Sequence, residues 1–170
     1  MKVKYSDLKN KRIFITGGGS GIGASIVEHF CEQGSEVHFV DIDLKETKKL
    51  LNKIKKNKFR TPTFIECNLL DINKLEKTIK NIIAKKGPIH ALINNAANDD
   101  RHTTDQVDEK YWENRMAINL KHYFFAAKAV VKSMKKMKAG SIVNLSSVSW
   151  MLGEGDKVVY ETAKSAVRSE

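Results

Sequence analysis

The sequence has few cysteines and no apolar segment long enough to place the chain in a membrane. Its two cysteines, Cys31 and Cys67, fall in a predicted helix and at a predicted strand end, so free buried thiols are expected rather than a disulfide framework. No run of about 18 apolar residues is present, which argues against a membrane span. The N-terminal stretch MKVKYSDLKNKRIFITGGG lacks the apolar stretch and cleavage site of a signal peptide, which favours a cytoplasmic protein.

Arginine is scarce, although the formal net charge is +10. Most of the excess is lysine in the segments 44–58, 75–86 and 126–138, where it alternates with apolar residues at helical spacing. This pattern is typical of solvated helix faces. No aromatic residues are interleaved with a basic motif, so no nucleic-acid role is predicted. The histidines and acids show no spacing typical of metal ligands, and no metal is predicted.

Short apolar runs alternate with segments of helical periodicity along the whole chain. Strands are predicted at 12–16, 36–40, 61–67, 89–94 and 140–146. Helices are predicted at 21–34, at 44–58, from Asp71 as N-cap to about 86, over most of 109–138, and from near Tyr160. Short apolar strands separated by helices indicate an α/β fold with a Rossmann-like, doubly wound parallel sheet in three layers. No linker or repeat divides the chain, so residues 1–170 are predicted to form one domain.

A glycine-rich segment, TGGGSGIG at residues 16–23, lies between the first predicted strand and the first predicted helix. Gly17, Gly21 and Gly23 fall where backbone turns tightly, approaches a pyrophosphate, and packs a helix against a strand. Asp41 ends the second strand 18 residues after Gly23, where a carboxylate hydrogen-bonds the adenosine ribose and repels the extra phosphate of NADP. The sequence therefore predicts a site for NAD in preference to NADP. The alternative is that Asp41 only caps the helix from 44.

A candidate catalytic group follows the fifth predicted strand. Tyr160 and Lys164 are four residues apart, which places them on one face of a helix. An ammonium there would favour the phenolate and lower the pKa of the tyrosine. Ser147 lies 13 residues earlier, at the end of the strand, where its hydroxyl could hold a substrate oxygen.

These elements occur in the order and spacing of the short-chain dehydrogenase/reductase family, which the sequence resembles along its whole length. The shared elements are TGGGSGIG, Asp41, NNAA at 94–97, Asn119, Ser147, Tyr160 and Lys164. The resemblance implies Tyr160 as general acid/base and Ser147 as substrate orienter. It implies Lys164 as tyrosine activator and ribose contact, and Asn119 as the residue that holds a water linking Lys164 to solvent.

The same resemblance implies which residues contact the cofactor. They are Gly17, Gly19, Ser20, Gly21, Ile22, Gly23, Asp41, Asn68, Leu69, Asn95, Ala96, Ala97, Tyr160 and Lys164. Asn68 stands where the family usually has an aspartate after the third strand. A weaker or altered adenine contact is therefore expected, since an amide still hydrogen-bonds the adenine.

Three longer stretches, NNAANDDRHTTDQV, YWENRMAINLKHYFFAAKAVV and SSVSWMLGEGDKVVYETAK, resemble the aldose 1-dehydrogenases of the family, which act on sugars such as galactose, arabinose or fucose. The implied reaction oxidises the anomeric hydroxyl to a lactone, with hydride transfer to NAD. Substrate contacts are expected from Asn98, Arg101, Ser147, Ser149, Trp150 and Tyr160, with Asp99, His102 and Glu154 on the same loops. One alternative is that residues 99–102 form a salt-bridged loop that touches no substrate. Another is that the chain is a ketone or 3-oxoacyl reductase.

Relative to the family, the chain ends soon after the catalytic helix begins. The resemblance implies a sixth strand, a substrate-covering loop, another helix and a seventh strand, so a C-terminally truncated chain is expected. Its fifth strand would then be a sheet edge, and one wall of the nicotinamide site would be missing. Complete members commonly form homo-oligomers through the catalytic-helix region. Because part of the site would be missing, the alternative outside the enzymes is an inactive, truncated nucleotide-binding fragment.

Overall fold

The protein is built on a sheet of five short parallel strands. A computed structural model describes residues 3–167. Its strands are β1 (Arg12–Thr16), β2 (Glu36–Asp41), β3 (Thr63–Glu66), β4 (Ala91–Asn94) and β5 (Ser141–Asn144). The order across the sheet is β3-β2-β1-β4-β5, so β1 pairs with β2 on one side and with β4 on the other. The direction of winding reverses between β1 and β4, which opens a crevice beyond their carboxyl ends.

Helices follow each strand, as the periodicity predicts. They are α1 (Gly21–Glu32), α2 (Leu44–Lys56), α3 (Ile72–Lys86), α4 (Glu109–Met116), α5 (His122–Met137), α6 (Ser149–Leu152) and α7 (Val158–Ala166). The elements that were not predicted are all short: the four-residue α6, a π-helical turn at Ala117–Lys121 that joins α4 to α5, and 3-10 helices at Ser6–Leu8 and Thr104–Gln106. Because π-helical turns occur mostly as single turns inside longer helices, a helical pattern over 109–138 does not distinguish this one.

Apolar side chains cover both faces of the sheet, because every residue of β1 is buried and successive residues point to opposite sides. One face packs against α3 and α5, and the other against α1 and α2. The first cluster includes Phe14, Leu75, Ile79, Leu92 and Val130, and the second includes Ile13, Ile15, Val27, Phe39 and Ile54. The predicted three-layer, doubly wound α/β fold is therefore confirmed.

Aspartates begin three of the helices. Asp71 accepts a hydrogen bond from the Lys74 N–H at 2.9 Å, which confirms it as the N-cap of α3. Asp43 accepts from the Glu46 N–H at 2.9 Å and caps α2. The alternative that Asp41 caps this helix is therefore wrong, because the cap is two residues later.

Both cysteines are free and buried, as predicted. None of the helices in residues 3–167 combines the length and the apolar composition that a membrane crossing requires. β5 is an outer strand of the sheet that these residues form, and Val143 on it is 46% exposed. The prediction of one domain over 1–170 also covers residues 1–2 and 168–170, which lie outside the described residues.

Candidate active site

The glycine-rich segment turns tightly between β1 and α1. The N–H groups of Gly17 and Gly18 both donate to the carbonyl oxygen of Val40, at 2.8 and 3.2 Å. Gly17 and Gly21 have φ angles of +67° and +53°, a left-handed conformation that favours glycine. A Cβ on Gly23 would overlap the carbonyl oxygen of Gly17. Gly17 and Gly21 therefore serve the backbone turn, and Gly23 lets α1 pack directly on the loop.

The N-terminus of α1 is left open toward a cleft. Within the described part of the chain, the side chain of Ser20 accepts no hydrogen bond from the first turn, in contrast to the aspartates of α2, α3 and α4. The cleft in front of it has a volume of about 500 Å³. All predicted cofactor contacts line this cleft except Gly19, Tyr160 and Lys164. Unpaired N–H groups at a helix start suit a phosphate, so the cleft fits a dinucleotide.

Asp41 ties the glycine loop to the end of β2. Its Oδ2 accepts from the Gly19 N–H at 2.7 Å, and its Oδ1 accepts from the N–H groups of Ile42 and Asp43 at 2.7 and 2.9 Å. A Cβ on Gly19 would lie within 2.8 Å of the Asp41 Cγ, so the carboxylate reaches the loop only past a glycine. Oδ1 thus already accepts two hydrogen bonds, whereas Oδ2 accepts one and keeps a lone pair for a ribose hydroxyl.

Asn68 and Leu69 border the cleft after β3. The Asn68 side chain is exposed, and its Oδ1 accepts from the Leu70 N–H at 3.0 Å. Its amide nitrogen therefore stays available to a ligand at the rim. Leu69 is only 4% exposed and belongs to the core beneath the cleft.

The segment after β4 is fastened to the glycine loop. The Asn95 amide nitrogen donates to the carbonyl oxygens of Thr16 and Gly17 at 3.1 and 2.9 Å. The N–H groups of Asn95 and Ala96 lie 3.1 and 3.2 Å from the Thr16 hydroxyl oxygen. Thr16 thus joins the ends of the two central strands at the point where the crevice opens.

Tyr160 and Lys164 lie on one face of α7, as their spacing predicts. The Lys164 Nζ is 5.8 Å from the centre of the Tyr160 ring. Lys164 is 1% exposed, and its Nζ donates to the Tyr123 hydroxyl and to the Leu145 carbonyl, both at 2.7 Å. Burial lowers the pKa of Lys164 to about 8. The lysine is therefore protonated at neutral pH and loses its proton at mildly alkaline pH.

Ser147 is held by a neighbouring serine at the end of the segment after β5. Its Oγ lies 2.9 Å from the Ser149 Oγ and accepts from the Ser149 N–H at 3.2 Å. Ser149 is 5% exposed, which makes it a support beneath Ser147. Ser147 and Trp150 line a second cleft of about 590 Å³, separate from the dinucleotide cleft.

Asn119 lies on the π-helical turn and is fully buried. Its Oδ1 accepts from the Asn98 N–H at 2.8 Å, and its Nδ2 donates to the Asn98 carbonyl at 2.9 Å. The side chain therefore anchors the loop after β4 by two hydrogen bonds. The water-holding role implied for Asn119 stays a prediction.

Ion pairs hold the loop that contains Arg101. Arg101 pairs with Asp156, and the Arg115 guanidinium pairs with Asp100 at 2.6 Å. Arg101 nevertheless keeps 68% of its side chain exposed. The loop is therefore salt-bridged, but to partners outside residues 99–102: Arg101 joins it to the segment before α7, and Asp100 joins it to α4. Whether it contacts a substrate stays a prediction.

His102 is buried within this loop and reaches the first turn of α7. Its Nε2 lies 3.4 Å from the backbone nitrogen of Val159, and its Nδ1 lies 2.9 Å from the Tyr111 hydroxyl. The backbone N–H of His102 donates to the Asp156 carbonyl at 2.7 Å. Because α7 has no side-chain cap from its N-cap residue Lys157, the imidazole supplies an acceptor that the helix start otherwise lacks.

Thr16 and Tyr123 belong to the site but were not predicted from the sequence. Thr16 ends β1 directly before the first glycine, which is the signal that could have found it. Tyr123 lies four residues after Asn119, a spacing that places both on one side of a helix. Its contact with Lys164 has no signal in sequence, because 41 residues separate them.

The sheet order and the glycine loop, with an acid at the end of β2, define an α/β protein of the dinucleotide-binding class. A sequence profile described as short chain dehydrogenase matches residues 11–169, and the chain belongs to this family. Dehydrogenases of the family use nicotinamide dinucleotides.

Three relatives show how much of the family's length is represented. The chain is 41% identical over 163 residues to the D-xylose 1-dehydrogenase of Caulobacter vibrioides, covering 96% of this chain and 64% of that protein. It is 37% identical over 164 residues to a protein of Rhizobium meliloti named "probable galactose dehydrogenase", with the same two shares covered. The structure of the Thermoplasma acidophilum aldohexose dehydrogenase matches with a TM-score of 0.83 at 30% identity, over 97% of this chain and 60% of that chain. The chain therefore spans less than two thirds of the length of these relatives.

Proposed function

We propose that the chain carries the dinucleotide site and the catalytic residues of an NAD-dependent dehydrogenase that oxidises an aldose at C1 to its lactone. The observation that carries the proposal is the buried Lys164 beside Tyr160 on one face of α7, next to the Leu145 carbonyl beyond β5. The aldose is inferred from the relatives named for D-xylose, galactose and aldohexose.

The proposed residues divide the work between binding and proton transfer. When bound, the nicotinamide accepts the hydride that leaves the anomeric carbon. The Lys164 ammonium stabilises Tyr160 as a phenolate. This phenolate takes the proton of the anomeric hydroxyl as the hydride leaves. Ser147, fixed by Ser149, donates a hydrogen bond to the reacting oxygen. The products are a lactone, the reduced cofactor and a proton.

Asp41 is the proposed reason for NAD rather than NADP. Its carboxylate borders the cleft beside Gly19 and would face the 2′ position of the adenosine ribose. The carboxylate repels the extra phosphate of NADP, whereas a ribose hydroxyl of NAD finds an acceptor in Oδ2. Asn98 and Arg101 on the segment after β4, and Ser149 and Trp150 on α6 after β5, remain proposed sugar contacts beyond the strand ends, where ligands of open α/β sheets bind. Because Ser149 is almost fully buried, its contribution would come mainly through Ser147.

Cofactor choice is tested by melting the protein with NAD and with NADP. A ligand that binds the folded state raises the melting temperature, and NAD should raise it more than NADP. Asp41→Asn keeps an acceptor but removes the charge, so the difference between the two cofactors should shrink. Asp43→Asn is the matched control, because it removes the same charge from a residue that does not line the cleft. An unchanged difference in Asp41→Asn would contradict the ribose assignment.

Turnover is tested with a panel of aldoses and NAD, followed by the absorbance of NADH. Tyr160→Phe should lose about 10²–10⁴-fold in turnover while the melting shift with NAD persists. Tyr5→Phe, at an exposed tyrosine, is the control. Turnover of a 3-oxoacyl thioester with NADPH would replace the aldose proposal with the reductase alternative. Cofactor binding with no turnover of any substrate would favour a non-catalytic nucleotide-binding chain.

The same melts test a further part of the proposal, that residues 1–170 fold as one domain. A single folding unit gives one cooperative transition, with coincident midpoints by circular dichroism and tryptophan fluorescence. Two transitions, or midpoints that differ between the probes, would contradict it.

A further inference from the structure

A second tyrosine, Tyr123, lies close to the Lys164 ammonium, in addition to Tyr160. The Tyr123 ring centre lies 4.7 Å from its Nζ, closer than the 5.8 Å to the Tyr160 ring centre. The Tyr123 hydroxyl is 2.7 Å from the same Nζ, and Tyr123 is 0% exposed. The charged end of the lysine therefore lies between two tyrosines, of which only Tyr160 is partly open to ligands.

The direction of the hydrogen bonds follows from the chemistry of the groups. A lysine ammonium has three donors and no acceptor, so the Tyr123 oxygen accepts from it. The Tyr123 O–H then donates to the carbonyl of Leu145 or of Ala96, at 3.2 and 3.3 Å. The Tyr123 hydroxyl thus contacts the lysine on one side and, on the other, backbone carbonyls that include Ala96 in the cleft wall.

We propose that Tyr123 is a positioning residue of this site: its hydroxyl oxygen keeps Lys164 charged and holds the ammonium where it acts on Tyr160. The inference rests on the proposed function for its catalytic meaning, since Tyr123 acts through Lys164. It concerns a residue outside the Asn119, Ser147, Tyr160 and Lys164 set that the family resemblance implies.

The surroundings of Lys164 explain why one more oxygen matters. Burial, which disfavours the charged form, lowers the pKa of Lys164 to about 8. The groups that face it are Tyr160 on α7, Tyr123 and His122 on α5, and the Leu145 carbonyl after β5. Burial and the Lys164 charge lower the pKa of His122 to about 3, so this imidazole stays neutral and adds no competing charge. Two oxygens at 2.7 Å therefore oppose the effect of burial on the lysine.

Tyr123→Phe tests the inference because it removes one oxygen and keeps the ring. The Lys164 Cε chemical shift, assigned by its absence in Lys164→Met, is followed by NMR against pH without cofactor. Losing a hydrogen bond to a charged group should move the titration midpoint about one pH unit lower. Tyr5→Phe should leave it unchanged. An equal midpoint in Tyr123→Phe and the unchanged protein would overturn the inference.

A measurement on the unmodified protein covers the case in which Tyr123→Phe does not fold. The Tyr123 Cζ chemical shift should change at the same pH at which Lys164 titrates, because the ammonium is bound to that hydroxyl. A Tyr123 Cζ chemical shift that stays constant over the pH range in which Lys164 titrates would overturn the inference.

Activity then separates this inference from the proposed function. With an aldose substrate, Tyr123→Phe should lower kcat about tenfold at neutral pH and move the alkaline limb of the pH–kcat profile to lower pH, with the NAD melting shift preserved. A lower kcat with an unmoved profile would contradict the charge-holding role. If the NMR midpoint moves but no substrate is oxidised, the contact with Lys164 stands and the dehydrogenase proposal fails.

Discussion

Gly23 packs so closely on Gly17 that a Cβ on Gly23 would overlap the carbonyl oxygen of Gly17. Gly23→Ala should therefore push α1 away from the loop and destabilise the protein by about 1–3 kcal/mol. The open helix start would move with it, so NAD should no longer raise the melting temperature. Gly155→Ala is the control, because among residues 3–167 no atom outside its two chain neighbours lies within 4 Å of a Cβ at that position. A full NAD shift in Gly23→Ala would show that the close contact does not position the site.

His102 should stabilise α7 through the acceptor that it presents to Val159. His102→Ala leaves the first turn of the helix without this acceptor and is expected to reduce the free energy of unfolding by about 1–3 kcal/mol. His102→Gln can place an oxygen near the position of Nε2 and should recover part of the loss. Urea unfolding of the three proteins makes the comparison. Equal losses in the two variants would mean that packing, and not the hydrogen bond, is what His102 contributes.

The buried histidines should make the protein less stable in acid. Burial is the main cause that lowers the pKa of His122 to about 3, and it also lowers the pKa values of His38 and His90. Below pH 6.5, the usual value, the unfolded chain takes up protons that the folded chain does not. The free energy of unfolding should therefore fall with decreasing pH, and His122 alone should contribute about 1.4 kcal/mol per pH unit between pH 6.5 and about 3.

His122→Gln isolates the largest of these contributions. Its unfolding free energy should fall less steeply below pH 6.5 than that of the unchanged protein. His29→Gln, on the exposed side of α1, is the control and should keep the original slope. Urea midpoints measured at several pH values give the slopes. Parallel slopes in all three proteins would show that His122 is not the source.

The two thiols should be inert while the protein is folded. Burial raises the pKa of Cys31 to about 12 and also raises the pKa of Cys67, so almost no reactive thiolate forms near neutral pH. A coloured disulfide reagent should react with neither thiol in the native state and with both in denaturant. Cys31→Ala and Cys67→Ala should each leave one thiol to titrate after unfolding. Rapid reaction of either thiol before unfolding would contradict its buried placement.

Much of the fold and part of the site depend on short-range patterns, which a sequence displays directly. The apolar runs of β1 and β2 are buried on both faces, so they had to be interior strands between helices. Asp71 lies directly before a helical pattern and caps it. Tyr160 and Lys164 share a helix face because four residues make about one helical turn.

The tertiary structure decided the contacts between distant segments. Asp41 bonds Gly19 across 22 residues, His102 meets Val159 across 57, and Tyr123 meets Lys164 across 41. No local pattern encodes these distances, because they depend on how α5, α7 and the loops pack around the carboxyl ends of the strands. The sequence by itself therefore determined the five strands, the longer helices, the glycine loop and the catalytic spacing. Only packing decided which polar group each buried charge would meet, since burial removes water and leaves the nearest protein atoms to satisfy it.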